Sequence, residues 1–410
     1  MKTPSHGTPD VVIVGGGFAG LTVLNHLHGL LCDRVRITLI DQCPHAVNRP
    51  MMPEIAFEGT PPADSQFPMA PAVVGADSIF LPGVVTAVDA AHNTVHLEDG
   101  QSRTYDILVL APGPIHDYGA VPGLEEFGHS LCDETHAAAL WQALRGFGGG
   151  KVVIGSAPTR HGTRVPAPVL KAACEGPIGE AMFMMDHHLR HHGQRDGSSI
   201  RVFSPGTEFF EDVGAHVRGD VGKLMQEAGI SVATGLEIAR VGADRVEFRD
   251  GRSWDSDFTI VLPPHAPPGF IATSGLGDQA GWVPTDTSMR HLDHANIYAA
   301  GDCTALAQPK LGHLAAIQAE VAATAIARDL GADVSPPDYR PEIMCIMNRG
   351  GLQATLIISD VLYGGSRDFT HSGVLPHFMK WSFDKYVGVS HGKLPPDWAE
   401  KMLEWGLGAD

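Results

Sequence analysis

The stretch VVIVGGGFAG, residues 11–20, decides the class of fold. Four β-branched residues predict a short buried strand, and a glycine-rich turn then leads into a predicted helix that runs to about Leu31. The glycines that fit the pattern G-x-G-x-x-G are Gly15, Gly17 and Gly20. They permit a tight turn and a close backbone approach to a pyrophosphate, which the helix N-terminus faces. A second strand, VRITLI, ends at Asp41, about twenty positions on, where an acid accepts hydrogen bonds from ribose hydroxyls. The segment therefore predicts a dinucleotide-binding unit.

Two later segments predict the return strands of the same unit. YDILVLAPG, residues 105–113, has the pattern of a buried strand closed by Pro-Gly. NIYAAGDCTAL, residues 296–306, predicts another strand that ends in Gly-Asp. From about Leu311 the pattern predicts a long helix capped by Gly331. We therefore expect a discontinuous first domain, formed by residues 1–116 and 266–334.

Residues 117–265 predict an inserted second α/β domain of the same type. Its first strand is KVVIGS at 151–156, and a glycine pattern would start at Gly155. The sequence there is Gly155-Ser156-Ala157-Pro158-Thr159-Arg160, so Ala157 and Arg160 occupy the second and third glycine positions. The next strand, SIRVFSP, ends at Ser204 instead of an acid that would bind a ribose. This domain is predicted to keep the fold of a nucleotide binder without its nucleotide.

Residues 335–410 start Pro-rich and predict a C-terminal extension with amphipathic helices. One predicted helix carries an apolar stripe: Leu375, Phe378, Met379, Phe383, Tyr386 and Val387. A second short helix, capped by Asp397, carries Trp398, Met402 and Trp405. The lysines that accompany them are Lys380, Lys385, Lys393 and Lys401. Aromatic residues and lysines on such helices are typical of a monotopic membrane anchor, and the alternative is packing onto the core or a partner subunit.

The composition limits the classes of partner and the location that we expect for the protein. The chain has 410 residues, 29 Lys and Arg against 47 Asp and Glu, and a formal net charge of −18, which disfavours a nucleic-acid partner. The N-terminal stretch MKTPSHGTPD has no apolar run, so we expect no secretory signal and cytoplasmic synthesis. No stretch has the length of apolar residues needed to cross a bilayer. We expect a homo-oligomer that contacts the membrane peripherally.

Six cysteines are scattered without any C-x-x-C pair, which disfavours a structural zinc site. Three are predicted to be small buried hydrophobic residues: Cys32, Cys43 and Cys303. The other three lie in distinctive contexts: Cys132 in SLCDETH, Cys174 in KAACEGPIGE and Cys345 in EIMCIMNRGG. The histidine run DHHLRHH at 186–192 predicts a solvated helix face, and we expect no metal site.

The glycine loop, the acid and the Gly-Asp segment resemble those of the flavoproteins with two dinucleotide-binding domains. The resemblance implies an α/β fold with two Rossmann-like domains, the first discontinuous and the second inserted, and FAD as the cofactor. The residues expected to bind FAD are Gly15, Gly17, Phe18, Ala19, Gly20, Asp41, Ala111, Pro112, Gly113, Gly301, Asp302, Lys310 and Leu311. Ala111-Pro112-Gly113 stands where the family has Ala-Thr-Gly, so the turn is kept and a hydroxyl is missing.

Several separated motifs further resemble sulfide:quinone oxidoreductase. They are C-x-G-P-x-x-E at 174–180, Ser-x-Cys-x-x-x-His at 130–136, Pro-Lys-x-Gly at 309–312 and the cysteine at 345. The resemblance implies that Cys174 and Cys345 face the flavin and shuttle sulfur while electrons pass through FAD to a membrane quinone, with polysulfide as a product. It also implies that Cys132 is a site residue, that Glu180 and His136 carry protons, and that Lys310 lies beside the flavin. The residues predicted to line the quinone site are Ile346, Trp381, Phe383 and Tyr386.

Three alternatives remain at this point. NRPMMPEIAFEG, residues 48–59, is equally similar to type II NADH:quinone oxidoreductases, although the altered loop at 155–160 and Ser204 disfavour NADH binding. A flavin subunit of a periplasmic sulfide dehydrogenase that uses a cytochrome lacks the support of a signal peptide. A redox-inactive flavin-binding sensor or scaffold is disfavoured by the presence of all three motif cysteines.

Overall fold

The structure, a computed structural model, describes residues 7–73, 78–172 and 174–395. The predicted second terminal helix, with Asp397, Trp398, Met402 and Trp405, lies outside the described residues. Within them, no helix combines the length and the apolar character that spanning a bilayer requires.

The described residues form nine α-helices and twenty-two strands, numbered in chain order. The helices are α1 Phe18–Leu31, α2 Met52–Glu58, α3 Leu124–Phe127, α4 Glu134–Leu144, α5 Gly176–His191, α6 Ala215–Ala228, α7 Gly269–Thr273, α8 Gly312–Asp329 and α9 Val374–Val389. The strands are β1 Asp10–Val14, β2 Arg36–Asp41, β3 His45–Val47, β4 Gln66–Pro68, β5 Ile79–Pro82, β6 Val85–Asp89, β7 Thr94–Leu97, β8 Ser102–Thr104, β9 Ile107–Leu110, β10 Ile115–His116, β11 Lys151–Ser156, β12 Ser199–Phe203, β13 Ile230–Ala233, β14 Ile238–Val241, β15 Arg245–Phe248, β16 Ser253–Asp255, β17 Phe258–Leu262, β18 His265–Ala266, β19 Ile297–Ala299, β20 Ile343–Asn348, β21 Ala354–Ser359 and β22 Asp368–Gly373.

The first sheet is parallel and has the strand order β19-β9-β1-β2-β5. Its central strand β1 is buried on both faces: Ile13 packs into the cluster that contains α1 and α8, and Val12 packs into a separate cluster on the other face. Parallel sheets covered on both faces need continuous apolar strands, which explains the sequence VVIV. The α/β expectation for this part of the chain is confirmed.

A second parallel sheet has the order β13-β12-β11-β17 and carries the inserted segment. A short antiparallel ladder, β10 with β18, pairs Ile115 with Ala266 and His116 with His265. This ladder lies where the chain passes from the first sheet to the second and back again.

The C-terminal region adds an antiparallel sheet, β20-β21-β22, which α9 contacts. Successive residues of β20 point to opposite faces. Ile343 and Met347 pack into the cluster that contains Ile154 and Ile178, whereas Met344 and Ile346 pack with Met379 of α9 on the other face. Cys345 shares the parity of Ile343 and Met347, so it lies on the same face of β20 as they do.

The prediction of one apolar stripe on α9 is wrong, because the helix uses its apolar residues on two faces. Val387 is fully buried in the cluster that α1 and α8 form with the first sheet, and Phe383 is partly buried against the same cluster. Phe378 and Trp381 remain 52% and 56% exposed, and Leu375 and Tyr386 are exposed with them. The helix docks onto the protein through residues 380, 383 and 387, which recur at helical spacing. The other aromatic residues of α9 therefore remain exposed to solvent.

Candidate active site

The first glycine loop is shaped by steric limits at two positions. Gly15 has φ +101°, and a side chain there would collide with the carbonyl group of Ala111. A side chain at Gly20 would collide with the carbonyl oxygen of Gly15. Gly17, by contrast, has open space above it and begins α1 without any side-chain cap. The unpaired N–H groups of the first helical turn therefore face an open position that suits a phosphate.

Asp41 at the end of β2 is held by the backbone of the loops beside it. Its two carboxylate oxygens accept hydrogen bonds from Gly16 N at 2.7 Å and Cys43 N at 2.9 Å. These bonds fix the orientation of the carboxylate beside the glycine loop and leave each oxygen a lone pair. Ala111, Pro112 and Gly113 follow β9, and a side chain at Gly15 would meet the first two of them.

The Gly-Asp segment after β19 lies against the same loop. Gly301 has φ +80°, and a side chain there would lie 3.0 Å from the Ala19 Cβ. Asp302 keeps one buried carboxylate oxygen, Oδ1, without a hydrogen-bond partner. Desolvation raises the pKa of Asp302, while Lys310, Arg49 and a bond from the Leu311 N–H oppose the rise. An orphaned buried acceptor of this kind requires a donor, and sugar-alcohol hydroxyls are suitable donors.

Helix α8 begins at Gly312 close to the start of α1. A side chain at Gly312 would lie 3.6 Å from the Phe18 ring, and the N-cap residue Leu311 makes no side-chain cap. Two uncapped helix N-termini, the open space at Gly17 and the unpaired Asp302 oxygen thus converge on one region. These features fit a dinucleotide such as FAD, whose pyrophosphate and ribityl hydroxyls they would bind.

Lys310 lies directly before α8 and is 5% exposed. Its Nζ donates a hydrogen bond to the Thr304 carbonyl oxygen at 3.0 Å and lies 3.9 Å from the centre of the Trp282 ring. Burial lowers the pKa of Lys310 to about 8, and Asp302 opposes that shift. The ammonium group is thus a fixed positive charge near Asp302.

The two motif cysteines, far apart in sequence, lie together in the fold. A methyl group added to Gly176 would lie 3.5 Å from the Cys345 Sγ and 3.7 Å from the Cys174 Sγ. Both sulfur atoms therefore border the same point, at the N-terminus of α5. Cys345 arrives there from β20, and Cys174 arrives in the loop just before α5.

Cys174 lies in the segment between the first strand and the helix of this α/β unit, where a nucleotide-binding domain normally has its glycine loop. Strand β11 ends at Ser156, but α5 begins only at Gly176, so the expected tight glycine turn is replaced by a long loop. Pro158 and Ala172 pair across this loop, and a side chain at Gly155 would collide with the Phe203 ring. The N–H group of Gly176 donates to Cys174, so the helix N-terminus supports the sulfur instead of a phosphate.

Both thiols are poor acids in this environment. Desolvation raises the pKa of Cys174 well above its usual value, and Asp212 and Cys345 add to the rise. Desolvation likewise raises the pKa of Cys345, together with Glu180 and Asp212, while Lys380 lowers it. Because the thiolate is the reactive form, each cysteine needs a nearby proton acceptor.

Glu180 lies on α5, one turn after Gly176. It is 8% exposed and accepts a hydrogen bond from Asn348 N at 3.0 Å. Burial raises the pKa of Glu180 to about 8, while Lys380 lowers it. The structure therefore places Glu180 on the Cys345 side of the cysteine pair.

The expectation that Lys380 accompanies an exposed membrane face is wrong. Lys380 is 6% exposed, and its Nζ donates to Glu54 Oε1 at 2.5 Å and to the Pro50 carbonyl oxygen at 2.7 Å. It also lies 3.6 Å from Asp384. Burial alone lowers the pKa of Lys380, but the carboxylates around it outweigh burial and raise it. Lys380 is thus the cation of a buried ion cluster that joins α9 to α2.

Cys132 and His136 have polar neighbours of their own. Arg49 Nη1 donates to the Cys132 carbonyl oxygen at 2.9 Å. His136 Nδ1 lies 2.7 Å from Asp133 Oδ2, and its ring stacks on Tyr118 with centroids 3.8 Å apart. Desolvation raises the pKa of Cys132 to about 11. The groups that act on Cys132 therefore differ from those that act on Cys174 and Cys345.

The residues predicted to bind quinone occupy different environments. Phe383 lies beside Phe18, with ring centroids 6.4 Å apart, near the starts of α1 and α8. Ile346 packs under α9 with Met379, whereas Trp381 and Tyr386 are exposed. The structure does not bring these four side chains into one described pocket.

The predictions made for the remaining cysteines and for the histidine run are correct for some residues and wrong for others. Cys303 is buried and donates to the Leu110 carbonyl oxygen at 3.3 Å, but Cys32 and Cys43 are exposed, so the prediction that they are buried is wrong. The histidine run is not wholly solvated, because His188 is 8% exposed. No group of side chains suited to hold a metal ion occurs among the described residues.

Sequence reasoning missed the buried polar groups around the cysteine pair. Glu175 and Asp212 border a crevice with Cys174, and Glu54 and Lys380 form the ion cluster behind Glu180. Glu175 lies inside the cysteine motif, and that position is the signal that could have identified it. The others belong to no motif, and their only signal is the contact that the fold creates.

The chain belongs to the pyridine nucleotide-disulphide oxidoreductase family, whose family model matches residues 9–328. It is an oxidoreductase that uses FAD. It is 26% identical over 423 aligned positions to the sulfide-quinone reductase of Aquifex aeolicus, covering 96% of this chain and 94% of the relative. The crystal structure of the Aquifex aeolicus sulfide:quinone oxidoreductase superposes with a TM-score of 0.84 over 97% of this chain and 95% of that one. An NADH dehydrogenase-like protein of Mycobacterium tuberculosis is 27% identical over 72% of each chain.

Proposed function

We propose that this protein oxidises sulfide to sulfur and polysulfide through Cys174 and Cys345 and passes the electrons by way of FAD to a membrane quinone. The observation that carries the proposal is the meeting of the two sulfur atoms at the N-terminus of α5. The similarity to the sulfide-quinone reductase of Aquifex aeolicus, over nearly the whole of both chains, supports the same reaction.

The residues proposed to hold FAD are those of the two helix N-termini and the loops beside them. Gly17 and the first turn of α1 would bind the pyrophosphate, Asp41 the ribose, and Asp302 the ribityl chain. Lys310 would place a positive charge near the flavin ring. When bound, the flavin accepts two electrons from the cysteine site and delivers them to the quinone.

The cysteines would carry the sulfur chemistry. Hydrosulfide attacks the disulfide form of the pair: the Cys–Cys bond breaks, a persulfide forms on one cysteine, and the other leaves as a thiolate. The thiolate and the persulfide then join as a trisulfide, which releases one proton and two electrons, and the electrons go to the flavin. Glu180, on the Cys345 side, would accept that proton in its ionised form, which its raised pKa of about 8 makes dominant only at alkaline pH. Further hydrosulfide lengthens the chain until polysulfide leaves.

An anaerobic titration tests the choice of electron donor. Sulfide is expected to bleach the flavin absorbance of the purified protein, whereas NADH at the same concentration is expected to leave it unchanged. NADH lacks a site because the glycine turn after β11 is replaced by the loop that carries Cys174. Bleaching by NADH and not by sulfide would refute the proposal and favour an NADH:quinone oxidoreductase.

Contact with the membrane is proposed to occur through the outer face of α9. Phe378 and Trp381 are more than half exposed there, although large aromatic residues normally avoid water. We expect the double variant Phe378→Ser and Trp381→Ser to lose most of its flotation with liposomes while keeping its flavin spectrum. Leu292→Ser, which removes an exposed apolar residue from the first domain, is the matched control and should float like the parent. Equal flotation of the double variant and the control would contradict this role of α9.

A further inference from the structure

Three carboxyl groups border the crevice beside Cys174: Glu175, Glu211 and Asp212. Two of them are held by hydrogen bonds. Glu175 accepts from Ser204 Oγ at 2.5 Å and from Phe210 N at 2.7 Å. Glu211 accepts from the backbone N–H groups of Lys171 and Ala172. These two side chains therefore tie the cysteine loop to its neighbours.

Asp212 differs from them. It is 6% exposed, yet its Oδ1 atom is buried without a hydrogen-bond partner. An unpaired buried carboxylate oxygen costs free energy, and because most buried polar groups are hydrogen-bonded, its presence here points to a function. Its charge acts on both thiols, whereas that of Glu180 acts on Cys345.

We propose that Asp212 is the proton acceptor on the Cys174 side of the crevice, where it takes a proton from incoming hydrogen sulfide and so generates the hydrosulfide that attacks the cysteine pair. The sulfur atom keeps the electron pair of the S–H bond and becomes the nucleophile, and the proton moves to the free carboxylate oxygen of Asp212. Asp212 and Glu180 would then serve the two cysteines separately. This inference rests on the proposed sulfide oxidation and names a catalytic residue for it.

The protonation behaviour of Asp212 suits that role. Burial raises its pKa to about 6 and Glu211 adds to the rise, while a bond from its own backbone N–H and the charge of Arg218 oppose it. The carboxyl group is therefore largely ionised at neutral pH and able to accept a proton. The other titratable groups that face it are Cys174, Cys345, Glu175 and Tyr363. A rate that depends on ionised Asp212 rises as pH increases through about 6.

The test is the Asp212→Asn variant, which keeps the shape of the side chain and removes the base. Stopped-flow reduction of the flavin by sulfide, expressed per hydrogen sulfide, is expected to slow by about 10²-fold. The limb of the wild-type pH profile near pH 6 should disappear in this variant. Asp212→Glu restores a carboxylate and is expected to recover at least part of the rate. Glu208→Gln removes an exposed negative charge from the same loop and should stay within about twofold of the wild type.

A second measurement, the alkylation rate of Cys174, distinguishes a role of Asp212 as proton acceptor from a purely electrostatic effect of its negative charge. Removing the charge of Asp212 favours the thiolate, so alkylation of Cys174 in the reduced holoenzyme should be unchanged or faster in Asp212→Asn. Slower flavin reduction together with undiminished alkylation supports the proposal. Flavin reduction within twofold of the wild type would overturn it.

Two controls keep the inference distinct from the proposed function. If Cys174→Ser abolishes flavin reduction while Asp212→Asn does not slow it, the function stands and the role of Asp212 fails. If sulfide does not reduce the wild-type flavin, the function itself fails. Should Asp212→Asn not fold, the wild-type pH profile still decides, because absence of a limb near pH 6 would overturn the proposal.

Discussion

Replacement of either Cys174 or Cys345 by serine is expected to slow anaerobic reduction of the flavin by sulfide by about 10³-fold or more. The reason is chemical, because a serine hydroxyl cannot form the disulfide that hydrosulfide attacks or the persulfide that follows. Both sulfur atoms border one point above Gly176, so the loss of either one leaves the other without a partner. The measurement is stopped-flow absorbance of the flavin after mixing with sulfide.

Cys32→Ser is the matched control for both variants. Cys32 is an exposed cysteine at the end of α1, far in sequence from the motifs, and its replacement should leave the rate unchanged. FAD content and thermal stability of all three variants should match those of the parent. A Cys174→Ser or Cys345→Ser protein that reduces its flavin at the parent rate would rule out the sulfur shuttle.

Gly15→Ala is expected to yield protein with little or no bound FAD. At φ +101° an alanine is strained by about 1–3 kcal/mol, and its methyl group would also collide with the Ala111 carbonyl group. Relief of the collision must displace the turn between β1 and α1 or the strand end at β9, and both border the proposed pyrophosphate site. We expect at least a tenfold fall in the flavin-to-protein absorbance ratio and a lower melting temperature.

Gly29→Ala tests whether this effect is specific to the loop. Gly29 lies inside α1 with open space where its side chain would be. Alanine is favoured over glycine in a helix by about 0.8–1 kcal/mol, so this variant should keep its FAD and gain stability. Full FAD occupancy in Gly15→Ala would show that the cofactor does not depend on the turn.

Much of the fold followed from local patterns in the sequence. Strand β1, the turn from Gly15 to Gly20 and helix α1 depend on residues close together in the chain, and the structure agrees with the predicted bounds. The long helix predicted from about Leu311 is α8, which begins one residue later. On α9, however, the side chains that face inward depend on the domain beneath the helix, and the predicted stripe failed there.

The site divides in the same way. The motifs identify Cys174, Cys345 and Glu180, and Glu175 lies inside the same motif as Cys174. Asp212 and Lys380 became visible only through their neighbours. A lysine on an amphipathic helix is usually exposed, but Lys380 is surrounded by Glu54 and Asp384 from the folded chain. Burial and opposite charge cannot be deduced from a residue's immediate sequence.

The sequence by itself determined the dinucleotide-binding loop, the α/β class and the absence of the second glycine turn, because each depends on backbone freedom and short-range periodicity. Only the tertiary structure decided that Cys174 and Cys345 share one point, that the Asp212 oxygen lies unpaired beside them, and that α9 keeps Trp381 outside while it buries Lys380. Those features arise from contacts between residues distant in the chain, whose desolvation and pairing exist only after the domains have packed together.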